Sequence, residues 1–192
     1  SLIFPGPNLD GASLFNLMDH ENVNSAWGVP TVWLGLLEEI RNQGKAPSQF
    51  QNVVIGGSAA PKSMIEEFEG LGITVCHAWG MTEMSPVGTQ GFLPQPMTNL
   101  LSSDEQILKK CNQGRRVFGV DLKIVDEKGS SLPHDGEASG ELYVRGNAII
   151  SGYYKNEQST EESFDKEGWF GTGDIASITS DGFLNIQDRA KD

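Results

Sequence analysis

The stretch Ile73-Thr74-Val75-Cys76-His77-Ala78-Trp79-Gly80-Met81-Thr82-Glu83-Met84-Ser85-Pro86 decides how this chain is read. Its first four residues form an apolar run, which predicts a buried strand. The run breaks at Gly80 into a small polar turn carrying a hydroxyl, Thr82, and a carboxylate, Glu83. In open α/β sheets ligands sit at the carboxyl ends of strands. The residue types suit a nucleotide. Trp79 offers a flat face to a base, Gly80 permits close approach of backbone, and Thr82 can donate to a phosphate oxygen. Glu83 can hold Mg²⁺, which takes one or two carboxylates together with substrate phosphates. The plain alternative is a strand ending in an ordinary polar turn.

Working outward from this stretch, the flanking segments predict an α/β fold. Asp10 is placed to cap a short helix through Leu14, Phe15, Leu17 and Met18. Val23 to Trp27 reads as a strand. Pro30 opens a helix with the apolar face Val32, Trp33, Leu36, Leu37 and Ile40, and Gly44 ends it. Val53 to Ile55 is a short buried strand, followed by the turn Gly56-Gly57-Ser58-Ala59-Ala60. Pro61 suits a first helical position, before a buried stripe of Met64, Ile65, Phe68 and Leu71. Strands alternating with helices across short links predict a parallel βαβ lobe.

Residues 88–101 read as a loop, and Asp104 to Cys111 as a short helix. After Gly114 the texture changes to short strands: Val120 to Val125, Glu141 to Arg145, Asp174 to Ile178, and a hairpin through Asp181-Gly182. These predict a small antiparallel sheet or a barrel-like lobe. The lobe boundary is expected near residues 95–115, giving an α/β lobe over 1–100 and a mainly antiparallel lobe over 101–192.

Composition bounds the function. The 192 residues carry 14 basic and 26 acidic side chains, a net charge of −12. Such a surface repels nucleic acid and anionic membranes, so an anionic ligand must be held by local dipoles and metal. Two cysteines, Cys76 and Cys111, make no disulfide framework, and a cytoplasmic setting is the simplest expectation. No apolar run has membrane-spanning length. The start, Ser1-Leu2-Ile3-Phe4-Pro5, lacks the form of a signal peptide and reads as a strand cut from something larger.

Six motifs occur in order: GGSAAP at 56–61, HAWGMTE at 77–83, GELYVRG at 140–146, SGYY at 151–154, GWFGTGD at 168–174 and DRAKD at 188–192. This series resembles the adenylate-forming superfamily, which comprises acyl-CoA synthetases, adenylation domains of peptide synthetases, and luciferases. The form HAWGMTEMSP is most similar to medium- and long-chain fatty acyl-CoA ligases and to methylmercaptopropionate-CoA ligases.

The resemblance implies roles residue by residue. Gly57, Ser58 and Ala59 would lie against adenine. Trp79, within the Trp79-Gly80-Met81 turn, would pack on the base, with Ile186 on its opposite face. Thr82 would contact phosphate, and Glu83 would hold Mg²⁺. Asp174 would accept from the ribose hydroxyls, beside Arg189. Ala78, Pro86 and Val87 would line the acyl pocket, and His77, grouped with them at the strand end, would shape that pocket or bond to backbone. Lys191 would be the hinge to a small C-terminal domain. ATP, Mg²⁺ and CoA would serve the reaction of an apolar, medium- or long-chain carboxylic acid.

The resemblance also implies a phosphate loop upstream and a lysine-bearing domain downstream, neither found here. An internal fragment, inactive alone and prone to self-association through uncovered apolar surface, is therefore expected. Gly171 stands where many members carry a larger polar residue. Two other readings stay open at this level. One is a serine-hydrolase-like elbow at Ser58, with Asp121 and His134 as partners. The other is a non-catalytic interaction module.

Overall fold

Residues 1–189 are described, in a computed structural model. The chain divides into two compact units: Ser1–His77 with Phe92–Cys111, and Ala78–Gly91 with the chain from Asn112 onward. This differs from one boundary near residue 100, because the segment carrying Trp79 and Glu83 belongs to the second unit.

In the first unit, α1 (Gly11–His20) starts where the Asp10 carboxylate accepts from the Ser13 amide at 2.9 Å. β1 is Ser25–Gly28. α2 (Pro30–Gln43) opens on its proline and stops at Gly44, whose φ of 67° is left-handed. β2 (Asn52–Ile55) and the first part of β3 (Thr74–Gly80) complete a parallel sheet, with Trp27 opposite Val54 and Ile55 opposite His77. α3 (Lys62–Gly70) begins one residue later than expected, because Pro61 takes the N-cap position. Leu71 was expected in its buried stripe but is 42% exposed, at the helix's C-cap. The core joins Phe15, Trp33, Leu36, Leu37, Val53, Ile65, Phe68 and Val75. The expected loop 88–101 is partly structured, with a short α4 at Gln95–Thr98. α5 (Ser103–Cys111) follows as predicted.

The second unit holds two antiparallel sheets. In one, Ala78–Gly80 of β3 pairs with β4 (Val87–Gln90), which pairs with β5 (Arg115–Arg116). In the other, the strand order is β6 (Val120–Val125), β7 (Ser139–Gly146), β8 (Phe170–Ile178) and β9 (Leu184–Arg189). β6 and β9 are its two ends, so this sheet is open and the barrel-like closure expected from the sequence is absent among the described residues. Ile124, Leu142, Ala176, Ile178 and Leu184 form one core, and Met84, Val120, Val144 and Phe170 another. α6 (Glu157–Ser163) was not foreseen.

Candidate active site

The turn after β2 is built by backbone geometry. Gly57 has φ 82°, a region where a side chain is strained. Gly57, Ser58 and Ala59 are exposed, whereas Ala60 is buried. The Ala60 amide donates to His77 Nε2 at 3.3 Å. An accepting Nε2 leaves the imidazole proton on Nδ1, which donates to the Cys111 carbonyl at 3.1 Å. His77 is 1% exposed, and burial pushes its pKa below the ordinary value. His77 is thus bonded to backbone on both ring nitrogens, beneath the turn, as its place at a strand end suggests.

In the second unit Trp79 is half-buried and packs on both cores, as Ile186 does on one. Gly88 makes room for it, since a Cβ there would lie 2.8 Å from Trp79 Cζ3. Trp79 Nε1 donates to Asp174 Oδ2 at 2.9 Å. Asp174 is 7% exposed on β8, and its amide donates to Thr172 Oγ1 at 3.1 Å. Thr172 Oγ1 in turn donates to the Leu142 carbonyl at 2.9 Å. Asp174 stands opposite Arg189 in the β8–β9 register. The Arg189 side chain and Lys191 lie outside the described residues.

Gly80 permits a close approach, but to the chain itself: a Cβ there would fall 1.9 Å from the Pro86 carbonyl oxygen. After Met81 comes a single 3-10 turn, Thr82–Met84. Met84 is its buried anchor, Thr82 is exposed, and Glu83 is half-buried. Glu83 Oε1 accepts from the Tyr153 hydroxyl at 3.1 Å, and its carbonyl accepts from the Ile150 amide at 2.9 Å. Ala78 and Val87 are half-buried on β3 and β4, and Pro86 is exposed between them in sequence. Across β7–β8, Gly171 stands opposite Tyr143. A Cβ at Gly171 would meet the Tyr143 ring at 3.3 Å, so the tyrosine occupies the space a larger residue would need.

Asp121, offered by sequence as a partner of Ser58, is ion-paired with Arg116 in the second unit, while Ser58 belongs to the first. Among the described residues no three His, Cys, Asp or Glu side chains group as a metal cage. A single half-buried carboxylate, Glu83, suits Mg²⁺, which is bound through few protein groups and completed by water and phosphate. Tyr153 is the residue whose role sequence reading missed, although the SGYY motif pointed to its place.

The AMP-binding enzyme family model matches residues 1–154. The chain is 48% identical over its full length to a medium-chain-fatty-acid–CoA ligase of Ectopseudomonas oleovorans, covering 34% of that protein. It is 45% identical, also over its full length, to a 3-methylmercaptopropionyl-CoA ligase of Ruegeria lacuscaerulensis, covering 35% of it. The chain thus spans about a third of the length of these curated relatives. Among solved structures, a long-chain-fatty-acid-CoA ligase from Archaeoglobus fulgidus matches 95% of this chain and 37% of its own, with TM-score 0.79 and 26% identity. O-succinylbenzoate coenzyme A synthetase from Bacillus subtilis, in complex with ATP and magnesium ion, matches with TM-score 0.78 and 26% identity, covering 95% of this chain and 35% of that one. With the family model covering more than half of its length, this chain belongs to the AMP-binding enzyme family.

Proposed function

We propose that this chain is part of an ATP- and Mg²⁺-dependent ligase that joins an apolar carboxylic acid to CoA. The observation that carries the reading is the 48% identity, along all 192 residues, to a medium-chain-fatty-acid–CoA ligase. The substrate carboxylate attacks the α-phosphorus of ATP, pyrophosphate leaves, and the thiolate of CoA then displaces AMP from the acyl-adenylate. The substrate oxygen is the nucleophile, so the protein's contribution is positioning and charge stabilisation.

Within the second unit, Thr82 donates to phosphate and Glu83 holds the metal. The Glu83 carboxylate would hold Mg²⁺ where the ion, once bound, would offset phosphate charge. Trp79 and Ile186 contact the base, and Asp174 accepts from the ribose beside Arg189. Gly57, Ser58 and Ala59, exposed residues of the first unit, are assigned to adenine by the GGSAAP motif alone. Ala78, Pro86 and Val87 meet the acyl chain.

The test is pyrophosphate release by the full-length protein. Release that requires a medium- or long-chain acid, with thioester formed only when CoA is present, supports the reading. Release with amino acids alone moves it to the peptide-synthetase branch. The Glu83→Gln variant is expected to lose most of the rate.

A reducing, cytoplasmic setting belongs to the same proposal; Cys76 and Cys111 form no disulfide. Among the described residues, no helix is long and apolar enough to cross a membrane. Self-association of the isolated 192-residue chain is also proposed, through the β1 edge, where Trp27 is 69% exposed. Light scattering that shows a monomer at all concentrations would refute it.

A further inference from the structure

Segment 148–153 grips the Glu83 turn at three points. The Ile150 amide donates to the Glu83 carbonyl at 2.9 Å, and Ser85 Oγ donates to the Ala148 carbonyl at 3.1 Å. The Tyr153 hydroxyl donates to Glu83 Oε1 at 3.1 Å. Backbone and side chain of the same acidic residue are thus held by one short segment, 70 residues away in sequence from Glu83 to Tyr153.

That segment is itself anchored. The Tyr153 amide donates to Thr160 Oγ1 at 2.9 Å, and Thr160 Oγ1 donates to the Asn156 carbonyl at 2.8 Å. Asn156 caps α6 by accepting from the Ser159 amide at 3.1 Å. A Cβ at Gly152 would lie 2.8 Å from Thr160 Cγ2, so the loop and α6 are in close contact. α6 has no buried residues. Its place in the fold is explained by these hydrogen bonds and not by an apolar face.

We propose that Tyr153, braced by α6 through Thr160, is a positioning residue that fixes the Glu83 carboxylate for the metal. The inference rests on the reading of Glu83 as the Mg²⁺ ligand given above. A carboxylate held by a phenol O–H keeps its orientation before the metal arrives, and the ordering is completed during folding. Partners that orient a metal-binding group commonly change metal affinity by about 10- to 100-fold when removed.

The experiment titrates Mg²⁺ into full-length protein at a fixed concentration of a non-hydrolysable ATP analogue and follows nucleotide binding by calorimetry. Metal-free AMP affinity and the thermal midpoint are measured beside it. Tyr153→Phe is expected to raise the Mg²⁺ concentration at half-saturation by roughly tenfold, with AMP affinity and midpoint unchanged. Thr160→Val is expected to do the same more weakly. Tyr154→Phe, at a neighbouring residue that is 88% exposed, is expected to behave as wild type. An unchanged Mg²⁺ requirement in Tyr153→Phe overturns the proposal. So does an equal fall in AMP affinity and thermal midpoint, which would make Tyr153 a purely structural residue. If wild-type protein binds the analogue with no Mg²⁺ dependence, the metal role of Glu83 itself is wrong.

Discussion

Trp79 and Asp174, 95 residues apart, are joined by a 2.9 Å hydrogen bond from the indole Nε1 to the carboxylate Oδ2. One end of the pair is a half-buried aromatic ring, and the other is a carboxylate that is 7% exposed. The indole donor is thus one of the groups that hold the Asp174 carboxylate.

Replacing Trp79 with Phe keeps an aromatic face and removes the donor. A hydrogen bond to a charged group is worth about 1.5–3 kcal/mol. Trp79→Phe is expected to lower AMP affinity of the full-length protein by roughly tenfold or more. Asp174→Asn is expected to do likewise, and the double variant less than the sum, since the two share one interaction. Calorimetric AMP affinities for the three variants decide it. Full additivity would show that the bond does not carry the effect.

His77 makes stability depend on pH. Its folded pKa is depressed by burial, from an unfolded value of about 6.5. The unfolded chain then binds the proton more readily. The contribution is fully present above about pH 6.5 and is lost as pH falls from there toward the folded pKa. The slope for one proton is at most about 1.4 kcal/mol per pH unit. Carboxylates lowered by hydrogen bonds, such as Asp10, Asp19 and Asp135, act only below about pH 4. Urea midpoints are expected to fall between pH 6.5 and 5, and this fall is expected to vanish in His77→Asn. A flat wild-type profile over that window would contradict the buried neutral imidazole.

Lys110 and Glu69 form an ion pair at 2.5 Å, with the lysine side chain 5% exposed. The same Glu69 oxygen accepts from the Val75 amide at 2.6 Å, so one carboxylate ties α3, α5 and β3 within the first unit. Removing one member of a buried pair typically costs about 3–5 kcal/mol. Lys110→Met is expected near the low end of that range, because Glu69 keeps the Val75 amide. Glu69→Ala is expected to cost more, since it strands both a charge and a backbone donor. Chemical denaturation of the two variants measures the order, and the reverse order would refute this account.

The sequence alone determined the elements whose causes are local. α2 was legible because Pro30 starts it, an apolar stripe runs through it, and Gly44 ends it at positive φ. The hairpin after Asp181-Gly182 was legible from turn chemistry. The ordered motifs singled out Trp79 and Asp174, which the fold joins by a hydrogen bond. Only the tertiary structure decided the rest, because the interactions responsible are between residues distant in the chain. β4 has no alternating pattern and exists because Ala78 and Trp79 pair with it on one side and Arg115 and Arg116 on the other. α6 has no apolar stripe and is held by an Asn156 cap and the Thr160 bond to Tyr153. A hydroxyl and a carboxylate 70 residues apart give no periodic or local signal. Their pairing, like that of Trp79 with Asp174, arises only when packing brings the strands and turns that bear them together.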